Sequence, residues 1–219
     1  MAIQALFFEF IVIVIGILSA LFIDHLIEKR NHRQRINSIM NIVIDNMKKD
    51  LEKIKIRLEL LDDHSNLFDK FIKDPNDDIL KKCEKIPVTV FYIFKVRQRG
   101  YNLLKDASIN FEFKESNLIS EIVSSYKLWI HMFDSIHSIL QNEAENNTKY
   151  RSSFNWFHDV FFNKNNSNQD FLEYLRTDEF KRRITYKFWI EKTVLTRYLT
   201  EYKNSLEILL KKIEVSDYR

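Results

Sequence analysis

Apolar positions follow two regimes along the chain. Leu6–Ile23 reads LFFEFIVIVIGILSALFI and is apolar on every side except at Glu9 and Ser19. From Ile36 onward, apolar residues recur at steps of three and four between polar ones. The first regime predicts a helix that spans a bilayer. Its eighteen residues rise about 27 Å at ~1.5 Å each, close to the ~30 Å of a hydrocarbon core. A secretory signal peptide is the rival reading. It calls for a basic flank and a small-x-small cleavage site, whereas MAIQA carries no Lys or Arg, and Ser19 and Ala20 are adjacent. A buried core helix is the remaining alternative.

The second regime predicts helices throughout. A stripe over Ile36, Met40, Val43, Met47, Leu51, Ile54, Leu58, Leu61 and Phe68 has helical spacing. With no breaker before Asp74-Pro75-Asn76, it makes one helix over 25–73, continuous with the span. Short helices follow over 77–100. In that stretch Val88–Val96 has strand-like composition but no partner strand, and Gly100 is a C-cap candidate. Residues 101–115 read as a connection. A helix over 116–161 carries Ile119, Ile122, Val123, Tyr126, Trp129, Phe133, Ile136 and Leu140, with a break near Asn146-Asn147. A loop over 163–169 and a short helix over 170–176 lead to a last helix over 178–215. The fold class expected is all-α: one transmembrane helix over 1–24 and, over 25–219, an antiparallel helical bundle.

Composition supports that reading. Two glycines and two prolines in 219 residues are too few for a turn-rich sheet protein, and phosphate-cradling glycine loops are excluded. The single cysteine, Cys83, forms no internal disulfide and fits a reducing compartment. The net charge of +3 is too small to argue for nucleic acid by itself.

Charge flanks give an orientation. Lys29, Arg30, Arg33 and Arg35 follow the span, and nothing basic precedes it. The positive-inside rule then places the bundle in the cytoplasm and the N-terminus outside.

On a wheel of about 100° per residue, Glu9, Gly16 and Ile23 align, flanked by Val12 with Ser19 and Ile13 with Ala20. The opposite face is bulky: Phe7, Ile11, Val14, Leu18, Leu21 and Phe22. Gly16 and Ala20 form a small-xxx-small pair that lets helix backbones approach. The narrow face is therefore the oligomer face, or the lining of a pore. Two readings of Glu9 stand open. Near the outer end it marks the water interface; facing other copies, it builds a carboxylate ring that favours cations. Asp24, about 22 Å further along the axis, forms an inner-mouth ring or simply ends the span.

Little points to catalysis. The six histidines make no HxxxH or HExxH pattern, so no metal site is expected, and no cofactor. Cys83 has no neighbouring base, and no nucleophile elbow appears. The chain reads as a non-enzyme. Two basic clusters are candidate anion sites: Lys95, Arg97 and Arg99, and Lys181, Arg182, Arg183 and Lys187 with Lys192. Tyr186, Phe188 and Trp189 stand among the latter. Basic residues interleaved with aromatics suit nucleotides or single strands; a solvated face is the plainer alternative.

The anchor resembles that of short bacterial one-span proteins, whose pattern reads E-x6-G-I-L-x-A-L-x-[IV]-[DN]-x3-E. Glu9, Gly16, Ile17, Leu18, Ala20, Leu21, Ile23, Asp24 and Glu28 occupy those places. Tyr92–Gly100 and Ile122–Tyr126 resemble two further segments of that family more loosely. The family's Asn-Trp after the span is replaced by His25 and Leu26. The layout also looks like the membrane effectors of bacterial anti-phage systems such as Hailong. That resemblance implies a homotetrameric cation channel in the lipid bilayer. It further implies gating through the cytoplasmic bundle by a nucleotide or oligonucleotide, the product of a partner nucleotidyltransferase. The alternative of another class is a non-conducting scaffold or sensor that self-associates through its transmembrane helix.

Overall fold

The computed structural model describes residues 2–73, 76, 79, 82, 94–110, 117–163 and 168–216, and only the backbone of 2–9, 11 and 108–110. Among the described residues there are helices and no strands, so the fold is all-α. The elements are α1 (Ala2–Lys73), α2 (Arg99–Asn110), α3 (Asn117–Arg151), α4 (Trp156–Phe162), α5 (Gln169–Arg176) and α6 (Asp178–Trp189). A π-helical segment, Ile190–Leu195, then leads into α7 (Thr196–Val215).

α1 is 72 residues long, about 108 Å of helix. Its first buried side chain among those described is Ile36. The stripe read from the sequence points inward from there: Ile36, Met40, Val43, Met47, Ile54 and Leu61 are buried, and Leu51, Leu58 and Phe68 half-buried. α2 and α7 pack against it, and α3 packs on those two. Tyr126, Trp129, Phe133 and Leu140 of α3 and Leu199, Tyr202, Leu206 and Leu209 of α7 close the main core. A second core lies toward the far end of α1. Phe71 shares it with Trp156 and Val160 of α4, Phe171, Tyr174 and Leu175 of α5, and Phe180, Ile184 and Phe188 of α6.

The boundaries differ from the periodicity in three places. Residues 101–115 do not form a bare connection, because α2 covers Arg99–Asn110. Of the short helices expected over 77–100, most positions lie outside the described residues. Phe94–Gln98 is described and is irregular, with Phe94 and Val96 buried in the main core. Gly100 therefore opens a helix rather than closing one. A Cβ there would lie 2.9 Å from Val43 Cα and Cγ2, so glycine is required by the close approach of α2 to α1.

The helix over 116–161 breaks later than Asn146-Asn147. Ser152 Oγ donates to Lys149 O, and Ser153 Oγ to Tyr150 O. Those hydroxyls satisfy the last carbonyls and end α3, as serine does at helix termini. Downstream, Asn168 and Thr177 cap α5 and α6 by accepting from Phe171 N and Phe180 N, and Asp178 and Glu179 in the first turn of α6 complement its dipole.

Candidate functional site

Three features carry chemistry: the free segment of α1 before the bundle, the polar knot at Asp50, and the charged face and root of α6.

Between Phe10 and Ile27, eleven large apolar side chains are exposed around the whole helix, among them Val12, Ile13, Leu18, Phe22 and Ile23. Ser19, Ala20 and Asp24 are exposed with them. A Cβ built on Gly16 would meet nothing within 4 Å. Removing this surface from water is worth on the order of 10 kcal/mol or more, and the chain's own bundle covers none of these eleven. Among the described residues no helix is long and apolar enough to cross a membrane. The predicted span begins at Leu6, and the side chains of Leu6–Glu9 and Ile11, Glu9 included, lie outside the described residues.

Asp50 sits on the buried face of α1, between Met47 and Ile54. Its Oδ2 accepts from Tyr202 Oη at 3.0 Å and from Arg97 N at 3.1 Å. Arg97 Nε lies 3.4 Å from Oδ1. Burial raises the carboxyl above its ordinary value; the Arg97 N–H, the Tyr202 hydroxyl and the Arg97 charge oppose that rise. Burial and the Asp50 charge also push the Tyr126 and Tyr202 phenols up. The knot ties the irregular segment 94–98 to α1 and α7. Within the first basic cluster, Arg97 is thus engaged inward, while Lys95 and Arg99 face solvent.

The second cluster divides by helix face. Lys181 pairs with Asp178 at 3.5 Å, and Arg182 with Glu179. Arg183 turns inward: it meets Glu179 Oε1 and Asn147 Oδ1, each at 2.6 Å, and lies over the Tyr150 ring at 3.9 Å. Lys187 is buried, 3.7 Å from Glu191 Oε1, and Glu191 Oε2 lies 3.1 Å from His64 Nδ1 on α1. Burial lowers the Lys187 ammonium below its ordinary value, and Glu191 offsets part of that. Glu191 belongs to the π-helical segment, where Thr196 Oγ1 donates to its carbonyl at 3.0 Å. Such wide turns often mark functional sites. The two basic clusters sit on different parts of the bundle, the first at the main core and the second against the distal one.

Asp50, Tyr202, His64 and Glu191 were not singled out by motif. One signal was available: Asp50 falls three residues after Met47 and four before Ile54, a carboxylate in an otherwise apolar row. Among the described residues no group of His, Cys, Asp and Glu is placed to hold a metal; Cys83 lies outside them. No protein family, curated protein or solved structure matches this chain.

Proposed function

We propose that this protein is a single-span, homo-oligomeric membrane protein that passes cations, and that its bundle receives an anionic nucleotide or oligonucleotide regulator. The carrying observation is the exposed apolar surface from Phe10 to Ile27, immediately ahead of the bundle. A surface of that extent belongs in lipid or against other copies. The bulky face suits acyl chains, and the Gly16/Ala20 face suits a neighbouring helix. Glu9, Val12, Ile13, Gly16, Ser19, Ala20 and Ile23 then line the oligomer axis, four copies enclosing it, with Asp24 at the inner mouth. α1 continues without interruption from this segment into the core, so a rearrangement of the bundle reaches the axis mechanically. Resemblance of the overall layout supports the setting of an anti-phage effector with a nucleotidyltransferase partner, its bundle in the cytoplasm.

The test is ion flux through liposomes carrying purified protein. Conductance that loses cation preference in Glu9→Gln supports the pore. Absence of flux under every ligand condition removes it.

A second reading is favoured by the pairing of the cations. Arg97 is held by Asp50, and Lys181, Arg182, Arg183 and Lys187 all face carboxylates of their own chain. On that reading the protein is a non-conducting scaffold or sensor, self-associating through the span. A cross-linking ladder that stops at the dimer, with no flux, selects it.

A further inference from the structure

The chain has three tryptophans. Trp129 and Trp156 are buried, at 7% and 4% exposure, whereas Trp189 is 54% exposed. Its ring stacks on that of Tyr186, 42% exposed, with centroids 6.0 Å apart and planes 22° apart. α6 turns Ile184, Lys187 and Phe188 inward, which leaves Tyr186 and Trp189 together on its outer face. Arg182 stands one turn before Tyr186 with its side chain 77% exposed; Lys192 stands three residues after Trp189 at 58%. Arg182 pairs with Glu179, and Lys192 lies 3.7 Å from Asp69. Lys192 and Asp69 are both more than half exposed, a pair weak enough to yield to a phosphate; Glu179 stays paired with Arg183 when the exposed Arg182 turns to one.

The bilayer is not what covers this pair. About 55 Å of α1 separates Ile27, the last exposed apolar residue of the free segment, from His64, which meets the π-helical segment next to Trp189. An aromatic belt at the headgroups is out of reach. What remains is a stacked aromatic pair with Arg182 one turn before it and Lys192 three residues after it along the chain, an order of groups that suits bases between phosphates.

We propose that Tyr186 and Trp189 form a base-stacking platform for a single-stranded oligonucleotide, with Arg182 and Lys192 holding its phosphates. This rests on the anionic-regulator part of the reading above and narrows it to a single-stranded oligonucleotide received on the outer face of α6. Arg183 and Lys187, turned inward, take no phosphate.

Trp189 is its own reporter, being the exposed one of the three. Full-length protein in detergent is titrated with an unlabelled eight-nucleotide oligo-dT, and tryptophan emission is followed. Saturable quenching is expected. Trp189→Phe removes the quenching yet retains binding of an end-labelled oligo-dT by anisotropy. Tyr186→Ala with Trp189→Ala weakens binding at least about tenfold, and Arg182→Glu lowers its salt dependence. Absence of both quenching and an anisotropy change overturns the platform. Equal quenching by inorganic tripolyphosphate overturns it as well, since bases are then irrelevant. A blue-shifted Trp189 that ignores oligo-dT, with a changed oligomeric state in Trp189→Phe, makes the face an interface between copies and also overturns it. Ion flux keeps the two readings apart: quenching without flux removes the pore alone, and flux without quenching removes the platform alone.

Discussion

The Tyr202 hydroxyl lies 3.0 Å from Asp50 Oδ2 and joins α7 to α1 inside the main core. The carboxylate there has given up water for one phenol, one backbone N–H and one guanidinium. Its pKa is raised by burial, so ionisation is harder in the folded state. The folded chain then holds this proton more tightly than the unfolded chain. Stability from this group is therefore greatest below the unfolded value of 3.8, and falls as pH rises from there through the folded pKa. Tyr202→Phe removes a hydrogen bond to a charged acceptor, and is expected to cost about 1.5–3 kcal/mol at neutral pH. Asp50→Asn is expected to cost less at pH 7 and to flatten the acid side of the stability profile. Thermal unfolding of the detergent-solubilised protein between pH 4 and 8 measures both; a Tyr202→Phe variant as stable as wild type contradicts the first.

Gly100 presents a steric limit rather than a conformational one. With Val43 Cα 2.9 Å from the position of a Cβ, Gly100→Ala forces α2 away from α1. Overpacking of this kind costs about 1–3 kcal/mol. Val43→Ala in the same chain is expected to restore only part of the loss, because the Val43 backbone stays in place while Cγ2 is removed. Denaturant midpoints of the two single variants and the double variant measure it, and full rescue speaks against a backbone contact.

These two sites show where the sequence is legible. The apolar rows of α1, α3 and α7 were readable because period 3.6 is local: Met40, Val43 and Met47, or Leu206, Leu209 and Ile213, announce their face by spacing alone. Contacts between distant segments were not. Gly100 carries the same local signal whether it ends a helix or abuts one; only Val43, far away in sequence, decides. α2 is not legible from spacing, because Tyr101, Leu104 and Ala107 form a row of just three buried residues, short enough to pass for a loop. The basic cluster of α6 was visible as composition, but its division into an outer Arg182 and an inner Lys187 depends on which face meets Phe71 and His64. The chemistry of Glu9 stays with the sequence, since its side chain lies outside the described residues.

The buried Lys187–Glu191–His64 set predicts a strong asymmetry between single and double variants. Glu191→Gln removes the carboxylate that faces the Lys187 ammonium in a site almost closed to water. Breaking a buried pair in this way costs about 3–5 kcal/mol. Adding Lys187→Met removes the stranded charge and is expected to recover most of the loss. Chemical denaturation of wild type, the single variant and the double variant at pH 7 tests it; a double variant weaker than the single one contradicts the pairing. Lys187 also sets a pH sign. Its pKa is lowered in the fold, so the unfolded chain binds that proton more tightly. Stability from this group rises as pH climbs from the folded pKa to 10.5.

Gly16 separates anchorage from assembly. A Cβ at this position meets nothing within 4 Å, so Gly16→Leu leaves the bundle's own packing untouched and its thermal midpoint within experimental error of wild type. Leucine also suits lipid as well as its neighbours do, so the variant is expected to partition into membranes unchanged. A leucine on the Gly16/Ala20 face does push a neighbouring helix outward, and close backbone approach is what holds such a seam together. Cross-linking in membranes is then expected to shift from oligomer to monomer. A substitution at Leu18, on the opposite face, serves as the control: Leu18→Ile leaves the ladder unchanged. An oligomer that survives Gly16→Leu but dissociates on Leu18→Ala places the seam on the bulky face instead, and removes Glu9 from the axis with it.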